Sequence, residues 1–203
     1  MELRDALTQI TEIRARLASA EVYRGYRALP VAFSGVIALL AGFAQGVYLE
    51  EPASRVGLYL SLWVGAAILS MLVAGVEIGI RALREDSRVS RASTRVALQQ
   101  FSPPVAAGAL VTIVVFQAAP ESVWLLPGLW QIFYSLGIFA SGRLLPRPTY
   151  WVAAFYLLAG CLVLALGPQR AFEPSCMAIP FALGQFMAAV ILYSTLERDH
   201  GSE

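Results

Sequence analysis

Six long apolar runs divide this chain, and each gap between them is short and polar or broken by proline or glycine. They cover about residues 31–49, 56–80, 101–119, 123–142, 149–167 and 175–196. The first holds nineteen residues, which at ~1.5 Å per residue makes roughly 28 Å of helix, close to the thickness of a bilayer's hydrocarbon core. Glu50-Glu51-Pro52, Pro120-Glu121, the stretch Arg143 to Pro148, and Gly167-Pro168 end four of the runs. Pro30, Pro103 and Pro104, and Pro148 are expected at or just before the first turns of spans 1, 3 and 5, where a missing N–H costs nothing. The pattern predicts an all-α integral membrane protein with six transmembrane helices, folded back as three successive hairpins.

Residues 2 to 20 repeat differently. Leu3, Ala6, Leu7, Ile10, Ile13, Leu17 and Ala20 recur at spacings of three and four, as in an amphipathic helix with one apolar stripe. Tyr23, Arg24, Tyr26 and Arg27 follow as an aromatic and basic collar at headgroup level. The predicted organisation is an amphipathic helix over 1–27, a six-helix bundle over 28–196 and a short tail over 197–203. Residues 1–27 have no short apolar core before a small-residue cleavage site, so the first span is expected to stay in the mature protein.

Charge orients this frame. All fifteen basic residues are arginine, and five stand in the single stretch Arg81 to Arg95: Arg81, Arg84, Arg88, Arg91 and Arg95. Arg4, Arg14, Arg16, Arg24, Arg27, Arg143, Arg147 and Arg198 fall in segments on the same side as that stretch, making thirteen. Only Arg55 and Arg170 lie opposite. Short loops rich in arginine stay cytosolic, so both termini are expected inside.

Composition narrows the chemistry. The chain is 58% hydrophobic and only 14% charged, against the roughly 25% charge of a soluble domain. A net charge of +1 gives no case for direct nucleic-acid binding. Without lysine there is no side-chain amine for Schiff-base chemistry. The single histidine, His200, leaves histidine-ligated haem, helix-spaced zinc ligands and serine–histidine relays without their main residue. Cys161 and Cys176 form no CxxC pair and are expected as buried free thiols. Neither an enzyme nor a bound cofactor is expected.

Several residues invite a functional reading. Glu77, in Gly-Val-Glu-Ile-Gly, is the one acidic residue inside a span, and an intramembrane carboxylate suggests proton or cation handling. Arg81, four residues on, offers an interfacial ion pair instead. Gln131, after Pro127, and Gln185, after Pro180, put amides at comparable depth in spans 4 and 6, with Tyr134, Ser135 and Tyr156 nearby. They suit either a polar cavity or hydrogen bonds between helices. Gly42 and Gly46, Gly75 and Gly79, and Gly184 and Ala188 are small-residue pairs suited to close helix packing, mostly within the bundle, with an oligomer seam left open. Tyr48, Tyr59, Trp63, Trp124, Tyr150, Trp151 and Tyr193 read as interfacial belts.

The opening EIRARL, followed by YRGYRALPVAFSGVIALLAG, resembles a loose group of uncharacterised bacterial inner-membrane proteins. These have a short helix containing Glu-Ile-Arg and a glycine-rich first span, and are often encoded beside a small winged-helix DNA-binding regulator. The resemblance covers roughly residues 1–45 and implies a regulatory or stress-linked setting in a bacterial inner membrane. It supplies no catalytic residue.

Two functions fit. One is a non-catalytic membrane protein whose basic cytosolic face, Arg81 to Arg95, docks anionic lipid or a cytosolic protein partner. The other is a transporter or channel for a small solute or lipid, with its polar site between spans 4 and 6.

Overall fold

The structure, a computed structural model, describes residues 27–84 and 88–198; the proposed amphipathic helix and the end of the tail lie outside them. The described chain is helical and contains six helices long and apolar enough to cross a membrane, as a multi-pass membrane protein requires. Their α-helices are α1 (Ala28–Tyr48), α2 (Val56–Arg84), α3 (Arg88–Ala118), α4 (Leu126–Ala140), α5 (Thr149–Leu166) and α6 (Pro174–Leu192), the fourth span running from Pro120 to Ala140 and the sixth from Pro174 to Leu196. A 3-10 turn, Pro120–Leu125, leads directly into α4, and a π-helical turn, Tyr193–Glu197, follows α6.

The terminators act where the sequence places them. The Leu49 N–H closes α1 on the Gln45 carbonyl at 2.9 Å, just ahead of the Glu50-Glu51-Pro52 break. α5 ends at Gly167, whose φ of +76° is the one positive value among the described residues and suits a residue without Cβ.

The third helix departs from expectation. Pro103 and Pro104 do not open it; α3 begins at Arg88 and runs through both. The prolines remove the N–H groups that would bond the Gln99 and Gln100 carbonyls. The Ser102 hydroxyl reaches the Gln99 carbonyl at 3.4 Å, and at this end of the span water is close enough to serve such groups. α2 likewise continues past its apolar part to Arg84. The arginine stretch is therefore carried largely on two helix extensions.

The two helices of each sequence hairpin pack on one another, but the most extensive contacts lie between hairpins. The most extensive contacts join α1 to α6 and α4 to α5; α3 packs on α4, α2 on α1, and α6 on α5. Glycines set the closest approaches. A Cβ at Gly35 would stand 3.3 Å from the Ala182 carbonyl oxygen, and one at Gly42 would collide with Ala178. Between α4 and α5 the fit is reciprocal: a Cβ on Gly128 would lie 2.8 Å from the Gly160 carbonyl oxygen, and one on Gly160 2.7 Å from that of Gly128. In a bilayer, where apolar surface has no water to escape, such contact is a main source of helix association.

Candidate functional site

The amide side chains picked out by sequence are buried and belong to two separate groups. Gln131 is fully buried on α4. Its Nε2 donates to the carbonyl of Cys176 on α6 at 2.9 Å and to its own helix at Pro127 at 3.2 Å. Pro180 lies four residues beyond Cys176 and has no N–H, so the Cys176 carbonyl would otherwise lack its helical donor. Gln131 replaces that donor from the neighbouring helix. Its Oε1 is buried with no hydrogen-bond partner.

Gln185 belongs to an aromatic group nearer the other end of α6. Its Nε2 donates to the Tyr134 hydroxyl at 2.6 Å. The Tyr134 ring meets Tyr156 edge-on with centroids 4.8 Å apart, Phe101 at 5.5 Å and Phe181 at 5.8 Å. The Tyr156 hydroxyl donates to the Phe181 carbonyl at 3.2 Å. Ser135 donates to the Ala153 carbonyl at 2.7 Å, tying α4 to α5. Gln185, Tyr134 and Tyr156 are therefore brought together, and Ser135 pins the adjacent helix pair. Gln131 sits apart, and Glu77, half-exposed on α2, is in neither group.

A third amide escaped the sequence reading. Gln45, fully buried on α1, donates from Nε2 to the Phe172 carbonyl at 2.6 Å, and its Oε1 accepts from the Trp63 indole at 2.7 Å. One side chain thus joins α1, α2 and the α5–α6 connection. The signal was present, since Gln45 is an amide in an apolar, glycine-rich span just as Gln131 is.

Two aromatic expectations are corrected. Trp63 and Tyr59 are internal, at 4% and 0% exposure, rather than members of a belt. Trp63 is held by Gln45, and Tyr59 packs edge-on against Phe172 at 5.0 Å. Tyr48, Tyr150, Trp151 and Tyr193 are exposed, as belt residues would be. Both cysteines are free; Cys176 is buried as expected, but Cys161 is exposed on the bundle's surface. Of the glycine pairs, Gly42 and Gly184 are used internally, Gly184 directly beneath the Tyr156 ring. Among the described residues nothing stands within 4 Å of a Cβ position at Gly75 or Gly79.

The arginine stretch forms the remaining candidate. Arg81 and Arg84 stand on the last turn of α2, and Arg88, Arg91 and Arg95 on the first turns of α3. An open apolar hollow of ≈ 360 Å³, lined by Ala44, Tyr48, Leu49, Leu58, Ser61 and Leu62, lies at the opposite end, away from Gln131 and Gln185. Among the described residues no three His, Cys, Asp or Glu gather as metal ligands would. No family model matches the chain, and neither does any curated protein or solved structure.

Proposed function

We propose that this chain is a non-catalytic protein of a bacterial cytoplasmic membrane, with both ends in the cytosol, whose basic cytosolic face holds anionic lipid. One observation carries the reading. The five arginines are mounted on helical continuations of α2 and α3, beginning at Arg81, the residue after the apolar span ends at Ile80. Guanidinium groups at that depth meet phosphate at the headgroup level. The excess of arginine on alternate connections supports the orientation. A cytosolic segment over 1–27, amphipathic in pattern, would lie against the same face.

A transport site between α4 and α6 is a second reading, and the unpartnered Gln131 Oε1 favours it. The Nε2 groups of Gln131 and Gln185 are spent on protein partners, which suits packing better than a solute path.

The test has two parts. Reporters fused to the two chain ends should both read from the cytosol. Phospholipid retained through detergent purification should be enriched in anionic species, and less so when Arg81, Arg84, Arg88 and Arg91 are changed to glutamine. Reporters on opposite faces overturn the orientation. Unchanged lipid retention overturns the basic-face reading, and loss of a co-purifying soluble protein in its place assigns the face to a protein partner.

A further inference from the structure

We infer that a zwitterionic phospholipid with a primary ammonium in its headgroup sits where α1 passes into α2, one acyl chain in the apolar hollow there and its headgroup on the charges of the connection. The open hollow of ≈ 360 Å³ is walled by Ala44, Tyr48 and Leu49 at the end of α1 and by Leu58, Ser61 and Leu62 in the first turns of α2. Both walls are fixed from the bundle side. Gln45 accepts from the Trp63 indole at 2.7 Å, and Tyr59 packs on Phe172 with ring centroids 5.0 Å apart. Ser61 keeps no free donor, because its hydroxyl is turned onto the Gly57 and Leu58 carbonyls of its own helix at 2.8 and 3.0 Å. The lining therefore offers hydrocarbon contact, with Tyr48 exposed at its rim as a headgroup-level aromatic is.

The connection over 49–55 joins two membrane spans, so it lies at a membrane surface whichever way the chain is oriented. Leu49 lines the hollow, and Glu50 and Glu51 follow it directly. Arg55 opens the first turn of α2: its carbonyl accepts from the Leu58 and Tyr59 N–H groups at 3.0 and 3.1 Å. It therefore stands at helical spacing from Leu58 and Leu62, on the side of α2 that walls the hollow. Glu50, Glu51 and Arg55 are all exposed, and among the described residues none of their side chains is in an ion pair. Arg170, which the sequence places on the same side of the membrane, is by contrast already paired with Glu173 at 3.0 Å.

Charge selects the occupant. A free guanidinium and two free carboxylates beside an apolar hollow complement a headgroup that carries both a phosphate and a hydrogen-bonding cation. Arg55 suits the phosphate, and Glu50 and Glu51 suit a primary ammonium with its three N–H groups. An anionic headgroup would meet two carboxylates with one cation to hold it, and a choline headgroup has no N–H to donate. A second copy docked symmetrically would set the same surplus of carboxylate against itself. This site stands apart from the basic face, at the other end of α2.

The test uses the full chain in detergent, stripped of lipid and titrated with phosphatidylethanolamine, phosphatidylcholine or phosphatidylglycerol, with bound lipid counted by native mass spectrometry. Wild type should retain one phosphatidylethanolamine in preference to phosphatidylcholine. Arg55→Gln should weaken it about fivefold, and Glu50→Gln with Glu51→Gln should erase the preference over phosphatidylcholine. Ser61→Trp or Ala44→Trp should fill the hollow and release the lipid, whereas Leu72→Trp, three turns deeper on the Ser61 face of α2, should not. Equal retention of phosphatidylethanolamine and phosphatidylcholine by wild type overturns the headgroup assignment. Retention unchanged by both Ser61→Trp and Ala44→Trp overturns the seat in the hollow. If these variants release phosphatidylglycerol instead, or if Ser61→Cys crosslinks to a second copy, the hollow has another occupant and the proposal falls.

Discussion

Gln131 supplies from α4 the hydrogen bond that Pro180 removes from α6. Its Nε2 lies 2.9 Å from the carbonyl of Cys176, the group whose helical donor would have been residue 180. Proline and glutamine are thereby coupled across two helices. Replacing Gln131 with methionine should leave a buried carbonyl unpaired, at a cost of about 1–2 kcal/mol. In a Pro180→Ala background the backbone N–H returns and the same change should cost less. Equilibrium unfolding of the four proteins of the cycle in mixed detergent measures the coupling; equal costs in both backgrounds would refute it.

Tyr59 and Trp63, one turn apart on α2, should respond in opposite ways to losing a polar atom. The Tyr59 hydroxyl is buried with no partner, so Tyr59→Phe removes an unpaired group and should be neutral or stabilising by up to ~1 kcal/mol. The Trp63 indole donates to Gln45, so Trp63→Phe leaves the Gln45 Oε1 bare and should cost about 1–2 kcal/mol. Thermal melts of the purified variants separate the two.

Glycines of equal standing in the sequence should differ sharply in tolerance. A side chain at Gly184 would enter the Tyr156 ring, which is itself wedged against Tyr134, Phe155 and Phe181. Gly184→Leu should cost about 1–3 kcal/mol through overpacking, or abolish folding. At Gly79 no described residue stands within 4 Å of a Cβ position, so Gly79→Ala should be neutral or gain up to ~1 kcal/mol from helix propensity. Yield and melting temperature report both.

Outside the spans, Arg170 donates to Glu173 at 3.0 Å ahead of α6. That hydrogen bond, with the attraction of the guanidinium, holds the Glu173 carboxyl below its ordinary range. A depressed carboxylate pKa stabilises the fold above the unfolded value, and the contribution is lost as pH falls through the lowered one. Both side chains face solvent, so the effect should be small and weaken with salt. Arg170→Gln should return the Glu173 titration upward to the ordinary carboxylate range, read by carbon NMR of labelled glutamate.

The six spans were legible in the sequence because the bilayer's demand is local. Each run must be long and apolar enough by itself, whatever its neighbours, and the runs found in the sequence match the helices within a few residues. Gln131 and Gln185 stood out for the same reason, as amides in hydrocarbon. Which helix each amide serves was decided only by the tertiary structure. Gln45 reaches Phe172 across 127 residues, and Gln131 reaches Cys176 across 45. Such pairings depend on glycine-sized gaps between particular helix faces, as at Gly42 and Gly184, and apolar periodicity is nearly blind to these where every face is apolar. The prolines of α3 show the same limit: their chemistry permits a helix start, but α3 runs through them from Arg88, and Phe101 seats it against Tyr134 and Gly137.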